Sequence, residues 1–119
     1  MAQKVAILMR KAPYGSVYTA EGLRSIMGIG VFELDISVIF VDDGVYALVR
    51  GQNPAALDMK PLGESFPMLS EFGVTKFYVH DQSLRERGLR PDDLVMEVEL
   101  LDDEGVAREL RECGIVLPF

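Results

Sequence analysis

Short apolar runs alternate with helix-like segments along the whole chain, and this alternation limits the possible folds more than any other feature. Each apolar run is of strand length and far shorter than a membrane span. The second run is apolar at nearly every position, as expected for a strand in a sheet that is covered on both faces. Five strands are predicted, at Lys4–Met9, Leu34–Val41, Val74–Val79, Leu94–Leu101 and Ile115–Phe119.

Helix signals lie between the predicted strands. From Val17 to Ile29, the residues Ala20, Leu23 and Met27 recur at three- and four-residue spacing, which predicts a helix that buries this face. Asp42-Asp-Gly44 begins a short helix through Leu48 that Gly51 ends, and residues 52–63 read as a loop because they contain two prolines and a glycine. Two further helices are predicted, at Ser65–Phe72, ended by Gly73, and at Ser83–Glu86, where a capping box is ended by Gly88.

The last helix is predicted to begin at Asp102-Asp-Glu104 and to end at Gly114. Its inward stripe would be Val106, Leu110 and Cys113. The predicted fold is therefore a single α/β domain over residues 1–119. It is a three-layer sandwich with a mostly parallel five-stranded sheet and helices on both faces, flavodoxin-like in character.

Charge and cysteine content exclude several classes of function. The net charge of −7 is unsuitable for binding nucleic acid, which requires a clustered cationic face. One cysteine cannot form an internal disulfide, which fits a reducing compartment. No Cys, His and carboxylate spacing indicates a metal site, and no glycine-rich motif indicates a nucleotide cofactor. We therefore expect a soluble, cytoplasmic protein without a metal or another cofactor, and without direct contact to nucleic acid or membrane.

The only histidine of the chain, His80, follows the third predicted strand directly. Carboxyl ends of strands are where open α/β sheets usually assemble their sites. The sequence predicts a candidate pocket from three such ends, and none of its residues is assigned a catalytic role. The members are Tyr14, Gly15 and Ser16 after the first strand, Asp42 and Asp43 after the second, and His80, Asp81, Ser83 and Arg85 after the third.

Each candidate has a structural alternative. The loop Tyr14–Ser16 can hold an anion or can form a tight turn with Ser16 as a helix cap. His80 and Asp81 could belong to a hydrolytic triad, but the sequence contains no Gly-x-Ser-x-Gly elbow that would carry its serine nucleophile. The predicted capping box accounts for Ser83. Cys113 is a possible thiol nucleophile, but its helical spacing favours a structural residue that faces the core.

Several segments together resemble one known family. In order along the chain, these are Ala12–Gly15, Glu21–Leu23, Phe40–Tyr46 with Gly51-Gln52, Ser83–Leu89, Ala107–Leu110 and Ile115–Phe119. They resemble the DsrE/DsrF/DsrH superfamily, and within it the DsrF and TusC branch. The resemblance covers essentially the whole chain, and its most specific parts are Asp-Gly-Val at 43–45 and Leu-Arg-Glu-Arg-Gly at 84–88.

The resemblance implies a role in intracellular sulfur transfer, either in sulfur oxidation or in thiolation of tRNA. It also implies a hexamer or other oligomer with DsrE-like and DsrH-like homologous subunits, or with itself. In the DsrE or TusD subunit, the essential cysteine lies at the position that His80 occupies here. An imidazole cannot carry sulfur as a persulfide, so the resemblance implies a subunit without its own catalytic activity. Two alternatives stay open: an enzyme or ligand-binding protein that uses the pocket around His80, and a homo-oligomeric sulfur carrier that uses Cys113.

Overall fold

A five-stranded parallel sheet is the centre of the computed structural model, which describes residues 4–11, 18–30, 35–49, 66–72, 74 and 76–119. The strands are β1 (Lys4–Met9), β2 (Asp35–Phe40), β3 (Lys76–His80), β4 (Glu99–Leu101) and β5 (Ile115–Pro118). Their order across the sheet is β4-β3-β2-β1-β5, and every neighbouring pair is parallel. The last strand therefore crosses back over the sheet to pair with the first.

Within the described residues, three α-helices and three 3-10 helices connect these strands. The α-helices are α1 (Tyr18–Gly30), α2 (Asp81–Glu86) and α3 (Asp103–Glu112). The 3-10 helices span Asp42–Leu48, Pro67–Phe72 and Pro91–Asp93. The predicted loop at 52–63 and the predicted helix ends at Gly51 and Gly73 lie outside the described residues.

The two faces of the sheet are covered by different helices. A Cβ placed on Gly22 of α1 would lie 2.7 Å from the Met9 sulfur, so α1 packs on the face that carries Met9. Met9 is paired with Phe40, whereas Ser37 points to the opposite face because strand side chains alternate. The Ser37 hydroxyl donates to Glu109 of α3 at 2.9 Å. Helices therefore lie on both faces, and the predicted three-layer α/β sandwich is confirmed.

The hydrophobic core lies on the α1 face of the sheet. Leu23 and Ile26 of α1 are buried there, and the Phe66 ring meets the Phe40 ring edge to face with centroids 5.3 Å apart. The strands contribute Val5, Ile7, Met9, Ile36, Val38, Phe40, Phe77 and Val79 to this core. By the same alternation, the α3 face carries the polar side chains Ser37, Lys76, Tyr78 and His80.

Three details of the predicted strands and inward helix faces are wrong. Met27 is predicted to face inward but is 45% exposed, and the neighbouring Ile26 is buried in its place. The strand predicted at Leu94–Leu101 forms only at Glu99–Leu101, although it does lie at the edge of the sheet as expected. Leu94 instead forms an isolated antiparallel bridge with Val49.

The third error concerns the last helix. The predicted inward residues Val106, Leu110 and Cys113 are only half-buried, and α3, which is described in full, has no buried residue. The reason is composition: six of its ten residues are charged, so its packing surface is narrow.

Candidate functional site

The carboxyl ends of β2 and β3 lie side by side and bring most of the candidate residues together. Asp42 and Asp43 begin the 3-10 helix that follows β2, while His80 ends β3 and Asp81 begins α2. The two strands are paired in parallel from Ser37–Lys76 to Phe40–Val79, which brings these ends to the same edge. Tyr14, Gly15 and Ser16 lie outside the described residues, so the third part of the predicted pocket stays a prediction.

Both ring nitrogens of His80 are engaged. Nδ1 lies 2.6 Å from the Ser83 hydroxyl, and Nε2 lies 2.5 Å from a carboxylate oxygen of Asp103 at the start of α3. An ionised carboxylate can only accept, so in the neutral ring Nε2–H donates to Asp103 and Nδ1 accepts from Ser83. The side chain is 16% exposed. His80 therefore links β3 and α2 to the first turn of α3.

Ser83 is a buried hydroxyl at the centre of this arrangement. It is 2% exposed, and its oxygen accepts a hydrogen bond of 2.9 Å from the backbone N–H of Asp42. Asp42 has a φ of 49°, in the left-handed region that only Asp, Asn and Gly visit readily. The hydroxyl thus holds an unusual backbone conformation in place.

The capping box predicted at Ser83 is wrong. Helix α2 begins at Asp81 with His80 as its N-cap residue, so Ser83 lies inside the helix. Its hydroxyl does not cap the helix and instead accepts from the backbone N–H of Asp42, 41 residues away in sequence.

Arg87 joins α2 to the turn after β2, and the sequence did not single it out for this role. Its guanidinium donates to one carboxylate oxygen of Asp43 at 3.0 and 3.1 Å, and to the Ser83 carbonyl at 3.1 Å. The side chain is only 18% exposed, whereas Arg85 is 73% exposed and pairs with Asp81 at 2.9 Å within α2. Arg87 lies 44 residues from Asp43, so no local pattern could reveal the pair.

The order Asp103–His80–Ser83 has the connectivity of a hydrolytic triad but not its accessibility. The Ser83 oxygen is buried and already accepts from Asp42, so it cannot attack a substrate. Asp81, which follows His80 in the sequence, is paired with Arg85 and not with the imidazole. Among the described residues, no group of three or more His, Cys, Asp or Glu side chains is arranged to hold a metal ion.

A surface depression of about 320 Å³ lies beside this site. Its charged lining is four carboxylates and one arginine, and that arginine is already paired with Asp81. Such a surface repels anions, including thiolates and sulfide. The lining residues are Asp81, Gln82, Arg85, Asp102, Asp103 and Glu104.

Cys113 lies at the opposite edge of the sheet. It caps the C-terminus of α3, and the next residue, Gly114, donates its N–H to the carbonyl of Lys4 at the start of β1. Partial burial raises the pKa of the Cys113 thiol, and the nearby Glu109 carboxylate raises it further. The thiol is half-buried and its thiolate is disfavoured, which fits the structural alternative better than a nucleophile.

Comparisons with known proteins agree with the fold and with the resemblance. A model of the DsrE/DsrF-like family matches residues 3–119. The chain is 36% identical to the intracellular sulfur oxidation protein DsrF of Allochromatium vinosum, over 100% of this chain and 98% of that protein. It is 39% identical to a TusC homolog of Pseudomonas aeruginosa, over 89% of each.

A solved structure extends the comparison to three dimensions. The crystal structure of the YchN protein from E. coli superposes with a TM-score of 0.84 at 26% identity, over 98% of this chain and 99% of that one. Within the part of the chain that the structure describes, no helix is long and apolar enough to cross a membrane.

Proposed function

The chain belongs to the DsrE/DsrF-like family, and from this membership we propose that it is a DsrF- or TusC-like subunit of a cytoplasmic sulfur-relay complex. Its partners are DsrE-like and DsrH-like homologous subunits, or further copies of itself, in a hexamer or another oligomer. The pathway is either sulfur oxidation, as named for the Allochromatium relative, or the thiolation of tRNA that the resemblance implies. The chain itself carries no sulfur.

The state of position 80 is the observation that supports this proposal. A sulfur carrier needs an accessible thiolate that attacks a donor and then passes on the terminal sulfur. Position 80 holds an imidazole instead, and both of its nitrogens are bonded within the chain. The chain's role is therefore to assemble with a partner that carries the cysteine, and to shape that partner's site.

Co-expression with DsrE-like and DsrH-like subunits tests the proposal. Native mass spectrometry of the purified material should show a complex that contains this chain together with both homologues. Omitting one homologue at a time identifies which subunit this chain contacts. A chain that stays monomeric and captures neither homologue contradicts the proposal.

Substitution of His80 separates this proposal from an enzyme that uses the same pocket. His80→Ala removes two hydrogen bonds, and we expect it to lower stability while sulfur transfer by the assembled complex continues at the normal rate. The matched control is Gln82→Ala, on the same helix, which loses only an exposed bond to Glu86. If His80→Ala abolishes a measurable catalytic activity or the binding of a ligand while assembly stays intact, the result favours the alternative that the chain is an enzyme or a ligand-binding protein.

A further inference from the structure

Helix α3 is attached to the sheet differently from α1. Leu23 and Ile26 anchor α1 in the hydrophobic core, but none of the ten residues of α3 is buried. The apolar residues of α3, Val106, Ala107 and Leu110, are half-buried, and the other positions are glycine or charged. A helix of this length is marginal in water by itself, so its helicity depends on how it is docked.

Two polar contacts fasten α3 to the sheet. Near its N-terminus, Asp103 accepts from His80 at 2.5 Å, and in its middle, Glu109 accepts from the buried Ser37 hydroxyl at 2.9 Å. The other polar contacts of α3 stay local, as in the Gly105 N–H that donates to the Asp102 cap at 2.7 Å. After loss of these two contacts, the helix is held by its half-buried apolar side chains, over a sheet face on which Ala6 and Ile39 are fully buried.

The surface beneath α3 contains the polar groups of the site. Ser37 is 3% exposed and lies on this face, and the Nε2 edge of His80 is closed by Asp103. The helix is joined to the three-residue strand β4 by Asp102 alone and to β5 by Cys113–Gly114. The main core of β1, β2 and β3 lies on the other face of the sheet, and on this face Ala6 and Ile39 are the fully buried apolar residues of β1 and β2.

We propose that α3 is a detachable cover, latched by Asp103–His80 and Ser37–Glu109, that opens as a unit while the rest of the sheet stays folded. Segments with few buried apolar contacts and exposed hydrogen bonds open at lower free energy than the core. Opening frees Nε2 of His80 and uncovers Ser37 for contact with another molecule. This inference does not depend on the sulfur-relay assignment, because it uses only contacts within the chain.

Hydrogen exchange of the purified chain tests the cover. In the wild-type protein, amides of α3 should exchange through local opening, faster than the amides of β1 to β3, which exchange only on global unfolding. Asp103→Ala and Glu109→Ala should each speed exchange in α3 roughly two- to tenfold and leave β1 to β3 unchanged. The matched control is Glu104→Gln, next to the latch, whose partner Arg108 is 3.9 Å away within the helix.

Chemical modification gives a second measurement. The chain has one histidine, so carbethoxylation of imidazole by diethyl pyrocarbonate reports on His80 alone. Asp103→Ala should raise the rate of modification, and Glu104→Gln should not. The proposal is overturned if α3 amides exchange as slowly as those of β1 to β3, or if Glu104→Gln has the same effect as the two latch variants.

Discussion

The side chains that define the site act mainly on one another. The Ser83 hydroxyl accepts from the Asp42 N–H and donates to His80, so one buried hydroxyl connects two strand ends. The Ser83 carbonyl accepts from the Arg87 guanidinium. The sequence did indicate that position 80 matters, because a lone histidine at a strand end is conspicuous. It could not reveal that Ser83 bonds Asp42 or that Arg87 bonds Asp43, because each pair is more than 40 residues apart and leaves no local pattern.

Replacing Ser83 measures how much this hydroxyl contributes. Ser83→Ala leaves the part-buried Asp42 N–H without its acceptor and His80 without a donor at Nδ1. We expect the free energy of unfolding in urea to fall by about 1–3 kcal/mol. The control Gln82→Ala, at the neighbouring exposed position, should change it by less than about 0.5 kcal/mol. Equal effects of the two substitutions would show that the buried network contributes nothing.

At the scale of elements, periodicity predicted the strands well and the helix faces less well. β1 forms at the predicted residues, and within the part of the chain that the structure describes, β2, β3 and β5 differ from the prediction by only one or two residues at their ends. For α1, both Ile26 and Met27 are compatible with helical spacing from Leu23, and only packing on the sheet decides between them. The prediction for α3 failed because periodicity indicates which face is apolar but not how deeply it is buried.

The turn after β2 depends on close packing against β1. A Cβ placed on Gly44 would lie 1.9 Å from the carbonyl oxygen of Met9, which already accepts from Val41 N–H at 3.0 Å. Because the obstacle is backbone, Gly44→Ala should shift the 3-10 helix Asp42–Leu48 and cost about 2–4 kcal/mol of stability.

Gly28→Ala is the matched control for that substitution. Gly28 lies within α1 and would place its Cβ in open space, so alanine should stabilise the protein by about 0.5–1 kcal/mol. Thermal or urea unfolding of both variants checks the pair. A tolerated alanine at position 44 would contradict the tight approach of the turn to β1.

For the molecule as a whole, the positions of its two notable side chains limit what it can do. His80 lies at the carboxyl edge of the sheet, and Cys113 lies at the amino edge, beside the start of β1. A strand of five residues separates these edges by roughly 15 Å, more than one side chain can span. The thiol therefore cannot take over the position from which the resemblance expects sulfur to be handed on.

Cys113 should accordingly stay unmodified when sulfur is supplied. Incubation of the purified chain with a persulfide donor, followed by intact-mass analysis, should show no added mass of about 32 Da, which one sulfur atom would contribute. In the reconstituted complex, Cys113→Ser should transfer sulfur as fast as the wild type, because the proposed function assigns the carrier cysteine to a partner subunit.

The pH dependence of Cys113 alkylation tests whether a raised pKa of the thiol is the reason for its low reactivity. Burial and Glu109 raise the pKa of the Cys113 thiol, so its thiolate fraction near neutral pH is lower than that of a free thiol. The alkylation rate of the folded chain should reach half its maximum at a higher pH than that of the urea-unfolded chain, which serves as the matched control. A midpoint below that of the unfolded chain, together with a sulfur adduct on Cys113, would instead identify the chain as a carrier.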